Sequence, residues 1–393
     1  MMTAVYIVAA NRTPIGSFLG TLSTLTAPEL GAVVLQSLHT HLPDLSLIDH
    51  VYMGNVLSAN VGQSPARQAA IKAGIPVSTD ATTINKVCAS GLKAITLAVQ
   101  HILSGEADCI YAGGMESMSN VPHYMDKSRS GIKLGHSTIT DGIIRDGLWD
   151  VYNNIHMGSV AEHTAKSLGI TREAQDAFAI QSYQRAADAW KANAFQAEIT
   201  PVNITSRTGT QTVAEDEEYK KVDAAKIPGL KPVFEKVGTI TAANASGIND
   251  GAAAVLVVSE KFLKQHHNLT PLARIVAHAD AAQDPMWFTT APVKAAQATL
   301  QKAGVSLPQV DFFEFNEAFA AVSLAIQKEL GNDPNKTNIY GGAVALGHPI
   351  GASGARIVAT LVNVLKSKNA RYGLAGICNG GGGSTALLIE NIS

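Results

Sequence analysis

Laid over itself without a gap, the stretch Ala89–Gly113 matches Ala352–Gly376, and this self-similarity constrains the fold more than any other feature of the chain. Ala89-Ser90-Gly91 falls on Ala352-Ser353-Gly354, and Lys93 falls on Arg356. Val99, Ser104 and Ala107 meet Val362, Ser367 and Ala370, and Ala112-Gly113 lands on Ala375-Gly376. A turn, a helix and a strand repeated in that order predict a duplicated α/β unit. Cys88, just ahead of the first copy, meets Gly351 ahead of the second, so the copies diverge at a chemically important position. Each half is then expected to bring different groups to one shared cleft.

A length of 393 residues suits two or three domains with sizeable cores. Hydrophobic residues at 46% and charged residues at 16% exclude disorder, and a net charge of −2 gives no whole-molecule attraction to nucleic acid. No apolar run is long enough to span a bilayer. Three cysteines at wide spacing fit neither a disulfide framework nor a zinc site. No signal or transit pattern precedes the strand-like run Ala4–Ala10, and Asn391-Ile392-Ser393 is not a peroxisomal tripeptide. A reducing, cytoplasmic setting is expected.

Strand-like runs at Val5–Ala9, His50–Val56, Thr82–Val87 and Cys109–Ala112 alternate with helical ones at Pro65–Ala73 and Leu92–Leu103. Thr26-Ala27-Pro28-Glu29 is a capping box opening another helix. The alternation predicts parallel strands with crossover helices in a first half, residues 1–115. From 116 to 248 the pattern breaks into an inserted loop domain, with helical runs at His156–Leu168 and Glu173–Asn193. Its charged stretch Glu215-Asp216-Glu217-Glu218 is followed by lysines 220, 221, 226, 231 and 236, a cluster that reads either as a solvated loop face or as a basic clamp for a phosphorylated ligand. The apolar run Ala252–Val258 is expected to rejoin the first sheet, so residues 249–270 complete the first half. Residues 271–393 form the second, with strands near Leu272–Ala277, Asp311–Phe315, Tyr372–Cys378 and Thr385–Ile389.

Two of the three cysteines sit where the backbone activates a thiol. Cys88 opens Cys88-Ala89-Ser90-Gly91 at the start of a helical run; Cys378 opens a glycine run, Gly380–Gly383, after a short strand. His348 lies between them in the turn Gly347-His348-Pro349. Each element alone has a bland reading as a buried small residue, a loop or a turn, but with the repeat they point to covalent acyl transfer. A thiol at a helix N-terminus sees unpaired amides and the positive end of the dipole, which stabilise its thiolate, and an imidazole accepts its proton. Acyl transfer builds negative charge on an oxygen, and each fixed donor there is worth about 2.7–4 kcal/mol of barrier. Glycines let a backbone amide approach closely. Asn316, ahead of the helical run Glu317–Leu330, has N-capping as its ordinary role. A dinucleotide fold built on Gly380–Gly383 is disfavoured, because no helix is expected to open after that run.

The segments Asn85–Gly91, Gly113–Met118, Asn316–Phe319, Gly341–Arg356 and Cys378–Gly383 resemble, in order and type, the motifs of the thiolase family, nearest to its acetoacetyl-CoA branch. The resemblance covers essentially the whole chain. It implies an α/β duplicated thiolase fold, with a five-layered α-β-α-β-α core and an inserted loop domain, assembled as a homotetramer of paired dimers. It implies reversible ping-pong condensation of two acetyl-CoA to acetoacetyl-CoA plus CoA. By position Cys88 is the nucleophile, His348 its base and Cys378 the second acid/base. Asn316 holds an enolate-stabilising water, and the amides of Cys88 and Gly380 form the other oxyanion hole.

The same resemblance places CoA contacts at Tyr183, Lys221, Val222, Asp223, Lys226 and Ser246, with His156 and Met157 near the pantetheine. It places a potassium ion on backbone carbonyls of Ala242, Ala243, Ala245 and Val344 with the Tyr183 hydroxyl. Phe288 falls where the short-chain branch carries a pocket aromatic, and Cys109 is expected to be structural. A broader 3-ketoacyl-CoA thiolase and an inactive acyl-CoA- or lipid-binding relative are the alternatives. The intact Cys88, His348 and Cys378 argue against the second.

Overall fold

The computed structural model describes residues 4–207 and 209–393. Its spine is a ten-stranded sheet. The principal strands are β1 (Val5–Arg12), β2 (His50–Gly54), β3 (Asp80–Ile84), β4 (Cys109–Ser117), β5 (Asn249–Ser259), β6 (Ala273–Ala282), β7 (Phe312–Phe315), β8 (Tyr372–Asn379) and β9 (Gly383–Asn391). They lie in the order β7-β8-β9-β6-β1-β5-β4-β2-β3.

The pairing carries the duplication. In the first half β2 is parallel to β4, β4 antiparallel to β5, and β5 antiparallel to β1. In the second, β7 is parallel to β8, β8 antiparallel to β9, and β9 antiparallel to β6. Even the irregularities match. The β1/β5 register slips between Ile7 and Ala9, and the β6/β9 register between Ile275 and Ala277. Such bulges re-aim a strand and behave as built features, so a shared one supports descent from a single unit. The halves join edge to edge where Val5, Tyr6 and Ile7 pair with Ile275, Arg274 and Ala273.

Eight main helices complete the layers: α1 (Ala27–Ser37), α2 (Pro65–Lys72), α3 (Ser90–Leu103), α4 (Met157–Leu168), α5 (Arg172–Lys191), α6 (Ala291–Ala303), α7 (Ala320–Leu330) and α8 (Ile350–Ser367). Side chains alternate across each strand. On β5, Ala252, Ala254, Leu256 and Val258 face the core under α1 and α2, while Ala253, Val255 and Val257 face α3 and α8. On β8, Ala375 and Ile377 face the central helices, and Leu374 and Cys378 face the core beneath α6 and α7. The result is the α-β-α-β-α layering that the resemblance implies. Cys109 is buried in the outer core of the first half. Among the described residues no helix is long and apolar enough to cross a membrane.

Two expectations need correction. β4 runs on through Ser117, beyond the short strand expected at Cys109–Ala112. The helix expected from Glu317 begins at Ala320 with Phe319 at its N-cap, so Asn316 does not cap it. The acidic run is tied to the first half. Asp216 takes two hydrogen bonds from the buried Arg12 guanidinium, at 2.8 and 3.0 Å. Glu217 accepts the amides of Ser17 and Thr21, and Glu218 accepts from Asn249 at 3.2 Å. These carboxylates pin the insertion to the first half, because buried amides and a guanidinium must find acceptors.

Candidate active site

The turn that presents Cys88 is held by its neighbours. Val87 has φ +47, which a β-branched residue rarely adopts. Asn85 Oδ1 accepts the Val87 amide at 3.0 Å. Ser90 Oγ accepts the Lys86 amide at 2.8 Å and donates to the Val87 carbonyl at 2.6 Å. Cys88 therefore stands one residue before Ala89, the N-cap of α3, and lines a cavity of about 370 Å³.

His348 and Gly380 reach the same cavity from the second half. Gly347 has φ +105, and a Cβ there would come 2.5 Å from the Asn249 side chain. Asn249 Oδ1 accepts the His348 amide at 2.9 Å, and its Nδ2 donates to the Gly16 carbonyl and to Glu218 at 3.0 and 3.2 Å. The imidazole Nδ1 lies 2.6 Å from Ser353 Oγ, and Nε2 lies 3.5 Å from Asn316 Nδ2. Burial, helped by the nearby Arg356 charge, depresses the His348 pKa to about 3, so it rests neutral.

Cys378 is the last residue but one of β8, and the chain turns back through Gly380–Gly382 into β9. The glycine run is thus a hairpin turn, with no helix behind it to cradle a phosphate. Gly382 has φ +82, and a Cβ there would come 2.1 Å from the Gln283 carbonyl oxygen. At Gly380 a Cβ would meet nothing nearer than Met157 Sδ at 3.7 Å, so glycine is compulsory at 382 and not at 380. Burial pushes the Cys378 thiol up, and the neighbouring Cys88 adds to this.

One electrostatic expectation is reversed. Burial pushes the Cys88 thiol up to about 12, outweighing the amides of Gly380 and Cys88 that point at its sulfur and favour the thiolate. The resting nucleophile is a protonated thiol, and it needs a base in the same event.

Several contributors escape a reading of the chain alone. Glu116 is fully buried and accepts from Asn55 Nδ2 and from the amides of Val56, Leu57 and Gly351 at 2.7–3.2 Å. Its pKa is pushed up to about 7 by burial, against those donors. Phe234 stacks on His156 at 4.7 Å and, with Val233, lines the cavity. An apolar pair inside a lysine-rich stretch was the available signal. Phe288 forms part of the wall, whereas Trp287 packs edge-on against His163.

The expected CoA residues divide. His156, Met157 and Ser246 line the cavity. Lys221, Val222, Asp223 and Lys226 do not. Lys221 pairs with Glu218 at 4.0 Å and Lys226 with Asp223 at 3.1 Å, on an exposed segment that Glu218 ties to Asn249. Tyr183, on α5, is set among the residues around Tyr340 and Leu346.

Neighbours of the expected cation ligands meet the turn Glu317–Ala320. Ala320 donates to the Asn244 carbonyl at 2.8 Å, and Ser246 donates to the Ala318 carbonyl at 3.1 Å. Glu317 accepts the Val344 amide at 3.2 Å and the hydroxyl of Ser182, next to Tyr183, at 2.7 Å. The amides fixing the loop use the Thr241 and Asn244 carbonyls. Those of Ala242, Ala243 and Ala245 receive no loop amide among the described residues, and a buried carboxylate lies nearby, so the residues fit a weakly hydrated monovalent cation.

Comparison with known proteins agrees with this architecture. The family model described as the thiolase N-terminal domain matches residues 5–261, and the C-terminal domain model matches 269–391. The chain is 53% identical to acetyl-CoA acetyltransferase of Yarrowia lipolytica, covering 100% of this chain and 98% of that one. It is 52% identical to acetyl-CoA acetyltransferase 1 of Arabidopsis thaliana, covering 99% and 94%. Among solved structures, the Acat5 thiolase of Ascaris suum in complex with coenzyme A superposes with a TM-score of 0.94 at 46% identity, covering 99% and 100%. Human mitochondrial 3-ketoacyl-CoA thiolase gives 0.96 at 39%, with both chains covered in full.

Proposed function

The chain belongs to the thiolase family, and from that premise we propose that it is an acetyl-CoA acetyltransferase, joining two acetyl-CoA into acetoacetyl-CoA plus CoA and running the reverse thiolysis. What carries the reading is one cavity that receives Cys88 from the first half and His348 and Gly380 from the second, with Cys378 a close neighbour of Cys88 and Asn316 against His348.

The roles are those that the thiolase resemblance implies, and the geometry supports them. His348 takes the Cys88 proton as the sulfur attacks the acetyl carbonyl, and the amides of Cys88 and Gly380 receive the oxyanion. CoA leaves as the thiol with a proton from Cys378, giving acetyl-Cys88, a Cys378 thiolate and an imidazolium. That thiolate removes the α-proton of a second acetyl-CoA. The enolate oxygen is met by His348 and by a water held on Asn316, whose buried Oδ1 has no partner among the described residues. The carbanion attacks acetyl-Cys88, and the departing Cys88 sulfur recovers its proton from His348. Protons and bonds balance over the cycle.

CoA is bound as substrate and product. His156, Met157 and Ser246 suit the pantetheine arm, and Tyr183, Lys221, Val222, Asp223 and Lys226 are assigned to the outer part of the carrier, where lysines meet phosphates. Potassium belongs to the same proposal. The carbonyls of Ala242, Ala243, Ala245 and Val344 with the Tyr183 hydroxyl would hold it, and it would supply a fixed positive charge ordering the loop that carries Ser246. A homotetramer is supported by apolar side chains on an exposed arm, Leu134 at 99% and Ile139 at 66% accessible. A cytoplasmic, reducing setting suits the paired thiols. Mass spectrometry after acetyl-CoA treatment tests the core of the reading. An acetyl adduct on Cys88 is expected; an adduct on Cys378 alone, or on neither, removes it.

A further inference from the structure

The repeat makes the surroundings of His348 comparable with those of its counterpart in the first half. In the gapless register Asn85, Lys86 and Ser90 fall on His348, Pro349 and Ser353. In the first copy the Ser90 hydroxyl is fully engaged by backbone: it accepts the Lys86 amide at 2.8 Å and donates to the Val87 carbonyl at 2.6 Å. In the second copy the residue corresponding to Lys86 is Pro349, which has no N–H to give. The Ser353 hydroxyl still donates to backbone, to the Pro349 carbonyl at 2.9 Å. Its acceptor side is free of an amide, and the group that meets it is His348 Nδ1 at 2.6 Å.

A hydroxyl has one hydrogen. With that hydrogen on the Pro349 carbonyl, Ser353 Oγ faces the imidazole as an acceptor and selects the tautomer protonated at Nδ1. Nε2 is then left with its lone pair, and the Asn316 amide nitrogen, a donor, is the group that faces it at 3.5 Å. Both Ser353 and His348 are buried, so water does not compete for either contact.

We propose that Ser353, released from backbone duty by Pro349, is the positioning residue that fixes the His348 tautomer and so makes Nε2 the working base. The proposal rests on His348 acting as the base in the reaction above, and extends it to a residue that touches no substrate. It also assigns a purpose to the proline of Gly347-His348-Pro349: it withholds the amide that would otherwise occupy the serine.

The test reads the ring directly. Enzyme labelled with 15N-histidine, studied by solid-state NMR, gives the two ring nitrogens of His348, identified by their loss in His348→Asn. A protonated Nδ1 with a bare Nε2 is expected; a protonated Nε2 in the wild type overturns the proposal. In parallel, Ser353→Ala should lower kcat for thiolysis about tenfold or more, with KM for CoA within twofold. It should also give a mixture of ring tautomers, and Ser353→Thr, which keeps the hydroxyl, should restore most of the rate. A Ser353→Ala enzyme with kcat within twofold of wild type overturns it equally. If the wild type showed no thiolysis at all, the proposed reaction would fall, while the ring-nitrogen result would still decide what Ser353 does.

Discussion

The Glu116 carboxylate accepts the Gly351 amide at 2.9 Å, so the residue standing in the register of Cys88 spends its backbone donor on a buried acid from the other half. A side chain at Gly351 would come within 2.8 Å of Glu116 Oε2 and of the Met115 carbonyl oxygen. The place where a second nucleophile would sit is filled by the contact that locks the halves together. Gly351→Ala is therefore expected to lose about 1–3 kcal/mol of stability through overpacking, read by urea or thermal denaturation. Wild-type stability would mean that this contact is loose.

The two active-site cysteines divide one cycle. Cys378→Ser should still become acetylated on Cys88 yet lose condensation by about two orders of magnitude or more, because CoA can depart as a thiolate without the Cys378 proton while removal of the α-proton has no other base. Cys88→Ser should lose both half-reactions. Single-turnover acetylation measured beside steady-state condensation separates them, and near-normal condensation by the Cys378 variant would refute the assignment. Cys109→Ala, remote from the cavity, should retain activity.

Acid sensitivity is expected around Asp280. Burial alone would raise this carboxyl, but hydrogen bonds from Lys86 at 2.6 Å, Lys93 at 2.7 Å and Thr385 hold it well below its ordinary 3.8. A depressed carboxyl contributes stability above its unfolded value and loses it as pH falls through the folded one. Asp280→Asn should thus melt below wild type at pH 7, with the gap closing as pH drops below about 4. A gap that stayed constant with pH would dissociate the loss from this charge. Lys86 belongs to the Cys88 turn and Asp280 to β6, so the pair also ties the nucleophile to the second half.

Acyl length should be limited by Phe288, which is buried at 3% accessibility in the cavity wall. Each surplus methylene pressed against a filled pocket costs about 1–3 kcal/mol. Thiolysis of a six- or eight-carbon 3-oxoacyl-CoA should be far less efficient than that of acetoacetyl-CoA, and Phe288→Ala should narrow the difference. Equal efficiencies in the wild type would favour the broader 3-ketoacyl-CoA thiolase, the reading that the fit to the human enzyme's structure keeps open.

Replacing potassium with a large organic cation should weaken CoA binding several-fold, because the proposed ion would no longer order the loop carrying Ser246. Tyr183→Phe should reduce the response to potassium. Activity indifferent to the cation would remove the site.

What the chain discloses locally, it discloses well. The alternating runs, the repeat and the glycine hairpin follow from periodicities within a few residues, and they place Cys88, His348 and Gly380 on one cavity. What stays hidden depends on donors far away in sequence. Glu116 gathers amides from residues 56, 57 and 351, and Asp216, Glu217 and Glu218 are satisfied by residues 12–21 and 249. Consecutive acids look solvated until those partners are known. Asn316 is the reverse case: its capping role looked ordinary until the helix proved to begin at Ala320.

A cavity stitched from both ends of a chain also sets when chemistry can begin. Cys88 emerges early in synthesis, but its base is residue 348, its partner thiol residue 378 and its oxyanion donor residue 380, of 393. A growing chain therefore lacks the base, the partner thiol and the second oxyanion donor until residues 348–380 are made and β9 has closed against β6.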